Sequence, residues 1–247
     1  MKSLLKKFIP GLWLDYYAKI KYNKKESRFL NMEASVVFER IYRENLWGSP
    51  ESRSGPGSTR EQALKVAPDF RKILDHLGIK SILDAPCGDF NWMSSMDLNG
   101  IQYTGVDIVG DLIEKNQSRY QRTGIQFINL NLIQNSLPKA DLILNRDCLV
   151  HFSYEDIGRA LKNMIRSGST YLMTSSFSGQ SLNFDITTGD WRPLNLEIHP
   201  FYFPKPQMVI PEPVEKKYRL ENKGKMLAVW DLKALERHLI NNGYQII

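Results

Sequence analysis

Apolar residues recur at near-helical spacing through Val36, Val37, Phe38, Ile41 and Tyr42, which predicts a helix over residues 35–45. A second amphipathic helix is predicted over residues 59–78. Thr59 is its N-cap, Gln62 its third helical residue, Leu64, Val66, Phe70, Ile73, Leu74 and Leu77 its apolar face, and Gly78 its stop. Short apolar runs bounded by turn residues then predict strands at 81–83, 101–107, 125–131, 140–145 and 169–175. Helical patterns separate them at 109–120 and 154–166, whereas residues 93–100 read as either a helix or a turn. Strands alternating with helices at this interval mean βαβ units, hence a largely parallel sheet covered by helices on both faces. A late strand (225–231) and a final helix (232–242) complete the pattern.

Two stretches break the alternation. Residues 47–58 are rich in Gly, Pro and Ser, which suits a plain connector, but they also carry Trp47, Glu51 and Arg53, which suit a cover over a ligand. Residues 178–213 hold eight Gly and Pro residues among Trp191, Phe201, Tyr202 and Phe203. So long a loop on an α/β scaffold is the natural seat of substrate selectivity. Trp47, Arg53, Trp191 and Arg192 are the candidate substrate contacts.

The ends of the strands carry the candidate chemistry. Strand 81–83 runs into Asp84, then a tight turn Ala85-Pro86-Cys87-Gly88, and the next strand ends in Asp107 followed by Ile108. Ligands of open α/β sheets bind outside the carboxyl ends of the strands. An acid on the first strand suits a cationic group, and an acid on the second suits vicinal ribose hydroxyls. Nicotinamide dehydrogenases share the sheet and the second acid. Their turn, however, needs three glycines to seat a pyrophosphate against backbone amides. Here a single Gly follows an Asp that would repel a diphosphate.

Net charge bears on partners. Of 33 basic and 27 acidic residues, eight and two lie in residues 1–28, so the formal +6 belongs to this arm and the rest holds 25 of each sign. The neutral body argues against a phosphate-tracking, nucleic-acid-binding surface. The arm interleaves its lysines with aromatic residues. It reads either as a weak, salt-sensitive attachment to anionic membrane or as a solubilising helix docked on the domain. Two cysteines, Cys87 and Cys148, are too few for a disulfide framework or a structural zinc site. No metal-ligand spacing is evident. The expected compartment is the cytoplasm, with the inner membrane face as the arm's alternative seat.

Asp84 with Pro86-Cys87-Gly88, then Asp107, resembles the class I S-adenosylmethionine (SAM)-dependent methyltransferases. Asn131 and the stretch from Asp141 through Asn145-Arg146-Asp147-Cys148 to His151 and Phe152 are similar to that family too, in its small-molecule branch. The likeness spans about residues 73–176. Residues 47–58 also look like the leader of a bacterial subgroup associated with surface-glycan genes. The resemblance implies a Rossmann-like, doubly wound sheet and SAM as cofactor. It implies cofactor contacts from Asp84, Ala85, Pro86, Cys87, Gly88, Asp107, Ile108, Asn131, Asn145 and Arg146, with Asn131 facing the adenine. The corresponding division is a basic arm (1–30) and a methyltransferase domain (31–247), the latter with a lid (31–62), a cofactor-binding core (63–176) and a substrate insertion (177–224). The chain departs from the family at Pro86 and Phe90, which replace the first and last Gly of the turn.

Methyl transfer to oxygen needs a base near the nucleophile. His151 is the expected base, with Asp147 the alternative catalytic residue; Glu155 and His199 stand behind them. Asn145-Arg146-Asp147-Cys148 lacks the Pro-Pro-aromatic run used on exocyclic and amide nitrogens. The expected activity is therefore methyl transfer to oxygen of a small-molecule or glycan-related acceptor. A protein or RNA methyltransferase, or a non-catalytic cofactor-binding protein of the same fold, remains as the alternative.

Overall fold

The computed structural model describes Tyr16, Lys19, Ile20, Tyr22 and residues 27–213 and 222–243. The basic arm, with its membrane reading, lies largely outside the described residues. Helix α1 (Ala34–Glu44) buries Val37 and Ile41 and ends at Asn45, whose left-handed backbone donates back to the last turn. Val36, expected inward, is 51% exposed. Helix α2 (Arg60–His76) starts as expected, with the Thr59 hydroxyl accepting from the Gln62 amide at 3.3 Å. Leu64 is 65% exposed and does not join its apolar face.

Seven strands follow among the described residues: β1 (Ser81–Asp84), β2 (Gln102–Asp107), β3 (Ile125–Asn129), β4 (Leu142–Asn145), β5 (Tyr171–Phe177), β6 (Met208–Pro211) and β7 (Lys225–Asp231). They form one sheet in the order β3-β2-β1-β4-β5-β7-β6. The pairs from β3 to β5 are parallel, and β7 runs antiparallel between β5 and β6. Helices α3 (Gly110–Tyr120), α4 (Tyr154–Arg166) and α5 (Leu232–Asn241) flank the sheet with α2, and short 3₁₀ turns form at Pro56–Ser58 and Leu149–His151. Between β1 and β2 the chain forms only a 3₁₀ turn, Met93–Ser95.

Period-two alternation sends each strand's side chains into two cores. Leu83, Ile143, Leu172 and Trp230 face Ile157, Leu161 and Leu239 of α4 and α5. Ile82, Leu144, Met173 and Val229 face Phe70, Ile73, Leu112 and Ile113 of α2 and α3. Both faces are thus covered, as a parallel sheet requires.

Two strands start two residues later than expected, each for a polar reason. β4 starts at Leu142 because the Asp141 carboxylate accepts the Lys80 and Ser81 amides, each at 2.9 Å. β5 starts at Tyr171 because Ser169 turns its hydroxyl onto the Ala140 amide. β6, not expected at all, lies among prolines; as an edge strand paired on one side it tolerates them. The long loop is packed rather than open, with Phe184, Ile186, Leu194, Leu196, Phe201 and Phe203 all buried. No helix among the described residues is long and apolar enough to cross a membrane.

Candidate active site

Register brings the carboxyl ends of β1, β2, β4 and β5 to one rim, pairing Asp84 with Gly105 and Leu144, and Asn145 with Thr174. A cleft of about 470 Å³ opens there. Asp84 lies on its floor and accepts a 2.6 Å hydrogen bond from the Tyr103 hydroxyl. Burial pushes its carboxyl up to about 7, against the pull of that hydrogen bond. Asp107 accepts from the Gly88 amide at 3.1 Å and the Val109 amide at 3.0 Å, and burial raises it to about 6. Pro86, Cys87, Gly88, Ile108 and Asn131 also line the cleft. Ala85 and Asn145 do not: both are fully buried, and the Asn145 amide donates to the Ala85 carbonyl, bracing the turn from behind.

Phe90, standing where the family's turn has Gly, adopts a left-handed φ of 59°. A bulky residue holds that conformation at a cost of about 1–3 kcal/mol. The compensation is its ring, packed within 5.1 Å of Tyr103, Tyr120 and Phe127.

Residues 47–58 form the roof. The Asp89 carboxylate accepts from the Arg53 amide at 2.7 Å and from the Ser52 and Ser54 hydroxyls at 3.0 and 3.3 Å. Asn91 donates to Glu51 at 2.8 Å and to the Ser58 carbonyl at 3.0 Å. Trp47, Arg53 and Ser54 face the cleft, so this loop is a cover rather than a plain connector. Asp89 and Asn91 escape a reading by motif; an acid directly after the turn glycine is the one local signal.

Gly88 has a φ of +54°, and a β-carbon there would sit 2.0 Å from the Ser54 hydroxyl oxygen. Gly88→Ala should therefore displace the roof and lower stability by about 1–3 kcal/mol. Thermal melts with and without cofactor check this; a variant as stable as the parent would contradict the contact.

The opposite wall carries a charge network. Arg146 makes a bidentate pair with Glu212, at 2.7 and 3.2 Å. Lys225 reaches Asp147 at 2.6 Å and Glu212 at 2.7 Å. Burial alone would raise the Asp147 carboxyl, but Lys225 and Arg146 outweigh it and hold it well below the usual range. Asp147 is thus a committed anion, poorly suited to accept a proton. Glu212, directly after β6, and Lys225, at the start of β7, are remote in sequence, and no local pattern marks them.

His151 faces the cleft with its ring centroid 5.0 Å from that of Trp47. Its Nδ1 lies 2.9 Å from the Asp190 carbonyl oxygen. A carbonyl only accepts, so Nδ1 carries the hydrogen and Nε2 keeps its lone pair. Burial pushes the imidazole down to about 4, so it is neutral at physiological pH. Trp191 lines the cleft, but Arg192 does not. Expected to contact substrate, Arg192 is fully buried and donates to the carbonyls of Phe184, Leu149 and Phe152 at 2.9–3.0 Å. Glu155 pairs with Arg159 on an exposed helix face, and His199 contacts Tyr202; neither reaches the cleft.

Residues 82–168 match a family model described as a methyltransferase domain. Solved structures agree with it in fold. Human N-acetylserotonin methyltransferase in complex with SAM superposes at a TM-score of 0.57 and 12% identity, over 89% of this chain and 66% of that one. Magnesium protoporphyrin IX methyltransferase from Synechocystis PCC 6803, with bound SAM, gives 0.55 and 11%, over 82% and 98%. The N-methyltransferase NodS from Bradyrhizobium japonicum WM9, in complex with S-adenosyl-L-homocysteine, gives 0.55 and 13%, over 79% and 97%. The fold is that of a class I methyltransferase. No curated protein matches the chain in sequence. Within this methyltransferase fold the matched segment supplies Asp84, Gly88, Asp107 and His151, whereas Trp47, Trp191, Glu212 and Lys225 lie outside it.

Proposed function

We propose that this protein transfers a methyl group from SAM to a hydroxyl oxygen of a small-molecule or glycan-related acceptor, with His151 receiving the hydroxyl proton. Methyl transfer and the cofactor are supported by the family match and by the fold shared with SAM-bound methyltransferases. The observation that carries the oxygen chemistry is the neutral imidazole at the cleft, its Nδ1–H tied to the Asp190 carbonyl and its Nε2 unprotonated.

The donor set suits SAM. Two buried carboxylates at adjacent strand ends match an ammonium group and a ribose diol, with Asn131 further along the wall. When bound, SAM supplies the electrophilic methyl carbon and its leaving group. The chain's residues do the rest. Asp84 and Asp107 hold the ligand's polar groups, the roof excludes water, and His151 takes the proton as the attacking oxygen becomes positive. A base of low pKa suffices, because that proton is strongly acidic once the new bond has begun to form.

Asp84 gives this assignment a pH signature. Without ligand it titrates at about 7, and a cation beside it favours the ionised form. SAM binding should therefore release protons and weaken as pH falls below about 7, with Asp107 adding a second decline near 6. Calorimetry in buffers of different ionisation enthalpy reads the release. Asp84→Asn should abolish its share and weaken binding by about 1.5–3 kcal/mol. Affinity that is flat between pH 5.5 and 8 would remove Asp84 from the cofactor site. The test of the whole reading is release of S-adenosylhomocysteine with hydroxyl-bearing acceptors, alongside a thermal-shift comparison of SAM with NAD.

A further inference from the structure

Beside the main cleft lies a second hollow of about 270 Å³. The two share Ile41, Trp47, His151 and Trp191 on their walls, so they meet at the imidazole. Arg28, Phe29 and Asp190 line the far side. The Asp190 turn is fixed from several directions. Tyr22 donates to the Asp190 carboxylate at 3.1 Å and accepts the Thr187 amide at 2.7 Å. The Gly189 amide donates to the His151 carbonyl at 2.8 Å. Gly189, at a φ of +103°, lies so close to α1 that a β-carbon would meet Val37 at 2.3 Å and Phe29 at 2.8 Å.

We infer that this hollow is the acceptor subsite and that its occupant is a pyranose ring, stacked on Trp191 with one hydroxyl presented to Nε2 of His151. The inference rests on the methyl-transfer reading above. SAM is a drug-sized ligand and claims the larger cleft, so the acceptor needs separate space that still touches the base. The hollow falls below the roughly 300–1,000 Å³ of drug-sized pockets and suits a single ring.

Its wall chemistry selects the kind of ring. Trp191 lines both hollows and is 40% exposed, and an indole ring offers a π face of negative potential to polarised C–H groups. Arg28 can only donate hydrogen bonds, and the Asp190 carboxylate can only accept them. A sugar has an apolar C–H face for the first and a hydroxyl edge, both donor and acceptor, for the second. A flat aromatic acceptor would cover both charges without pairing them, which costs free energy. The neutral polyhydroxyl ring satisfies all three residues together.

Saturation-transfer NMR tests this on the full chain in the presence of S-adenosylhomocysteine. The probes are the methyl glycosides of glucopyranose, mannopyranose, galactopyranose and rhamnopyranose. At least one should receive saturation at its ring C–H protons. That signal should fall by about fivefold or more in Trp191→Ala and return in part in Trp191→Phe. A thermal shift with SAM but no pyranoside binding overturns the subsite alone, as does binding that is unchanged in Trp191→Ala. No thermal shift with SAM removes the methyl-transfer reading and this inference with it.

Discussion

Replacing His151 with alanine is expected to cut turnover by about 10²- to 10⁴-fold, the usual worth of a positioned base. The rise in melting temperature with SAM should persist, because the imidazole serves the acceptor side of the cleft. The pH profile separates this role from a merely structural one. Burial pushes His151 down to about 4, with the Asp190 carbonyl and the Asp147 carboxylate acting against it and Arg192 and Lys225 reinforcing it. The proton-free form therefore dominates from about pH 5 upward, and kcat should stay flat where an exposed histidine would have become protonated. KM for the cofactor should meanwhile rise below pH 7, through Asp84. Undiminished turnover in the alanine variant would sink the assignment, and so would a kcat limb near 6.5.

Arg192→Leu should be the most damaging change to stability. Its guanidinium holds the Phe184, Leu149 and Phe152 carbonyls inside the fold, with its charge 5.5 Å above the Tyr154 ring. Leucine fills part of the volume but orphans three carbonyls, each worth about 1–3 kcal/mol when left unpaired. The expected loss exceeds about 3 kcal/mol, which for a chain of this size lowers the melting temperature by about 6–12 °C. Arg192→Lys should rescue little, because one ammonium lacks the planar fork that meets all three carbonyls. Leu149 and Phe152 flank His151, so the variant should lose turnover as well. Calorimetric melting that falls by less than 3 °C would contradict this account.

What the sequence made legible follows from what is local. Strand ends at Asp84 and Asp107 are readable because each acid directly closes a short strand-forming run, residues 81–83 and 102–106. The Thr59 cap and the Tyr154–Arg166 helix are readable for the same reason: cap and period sit within a few residues. The misses are long-range. Arg192 next to Trp191 looks like a loop cation reaching for substrate, and only the fold shows three carbonyls converging on it. Asp147 looks like a free acid until Lys225, 78 positions later, arrives beside it. Leu64 fits a helical stripe, but α2 rests on the sheet through Val66, Phe70 and Ile73, which leaves Leu64 on the far side. β6 hides because proline suppresses a strand signal, and only its edge position permits it.

The antiparallel course of β7 has one more consequence. A strand running against its neighbours brings its first residue, not its last, to the rim, and so Lys225 stands beside Asp147. The site is thereby assembled from two parts of the chain. Asp84, Asp107 and His151 sit on a parallel half that ends by residue 177, whereas Trp191 arrives afterwards on a loop, Glu212 directly after β6 and Lys225 at the start of β7. The two parts are nonetheless tied together, because Asp190, Arg192 and Glu212 of the later part hold His151, the Leu149 and Phe152 carbonyls and Arg146 of the earlier one, so neither can be exchanged without rebuilding those contacts.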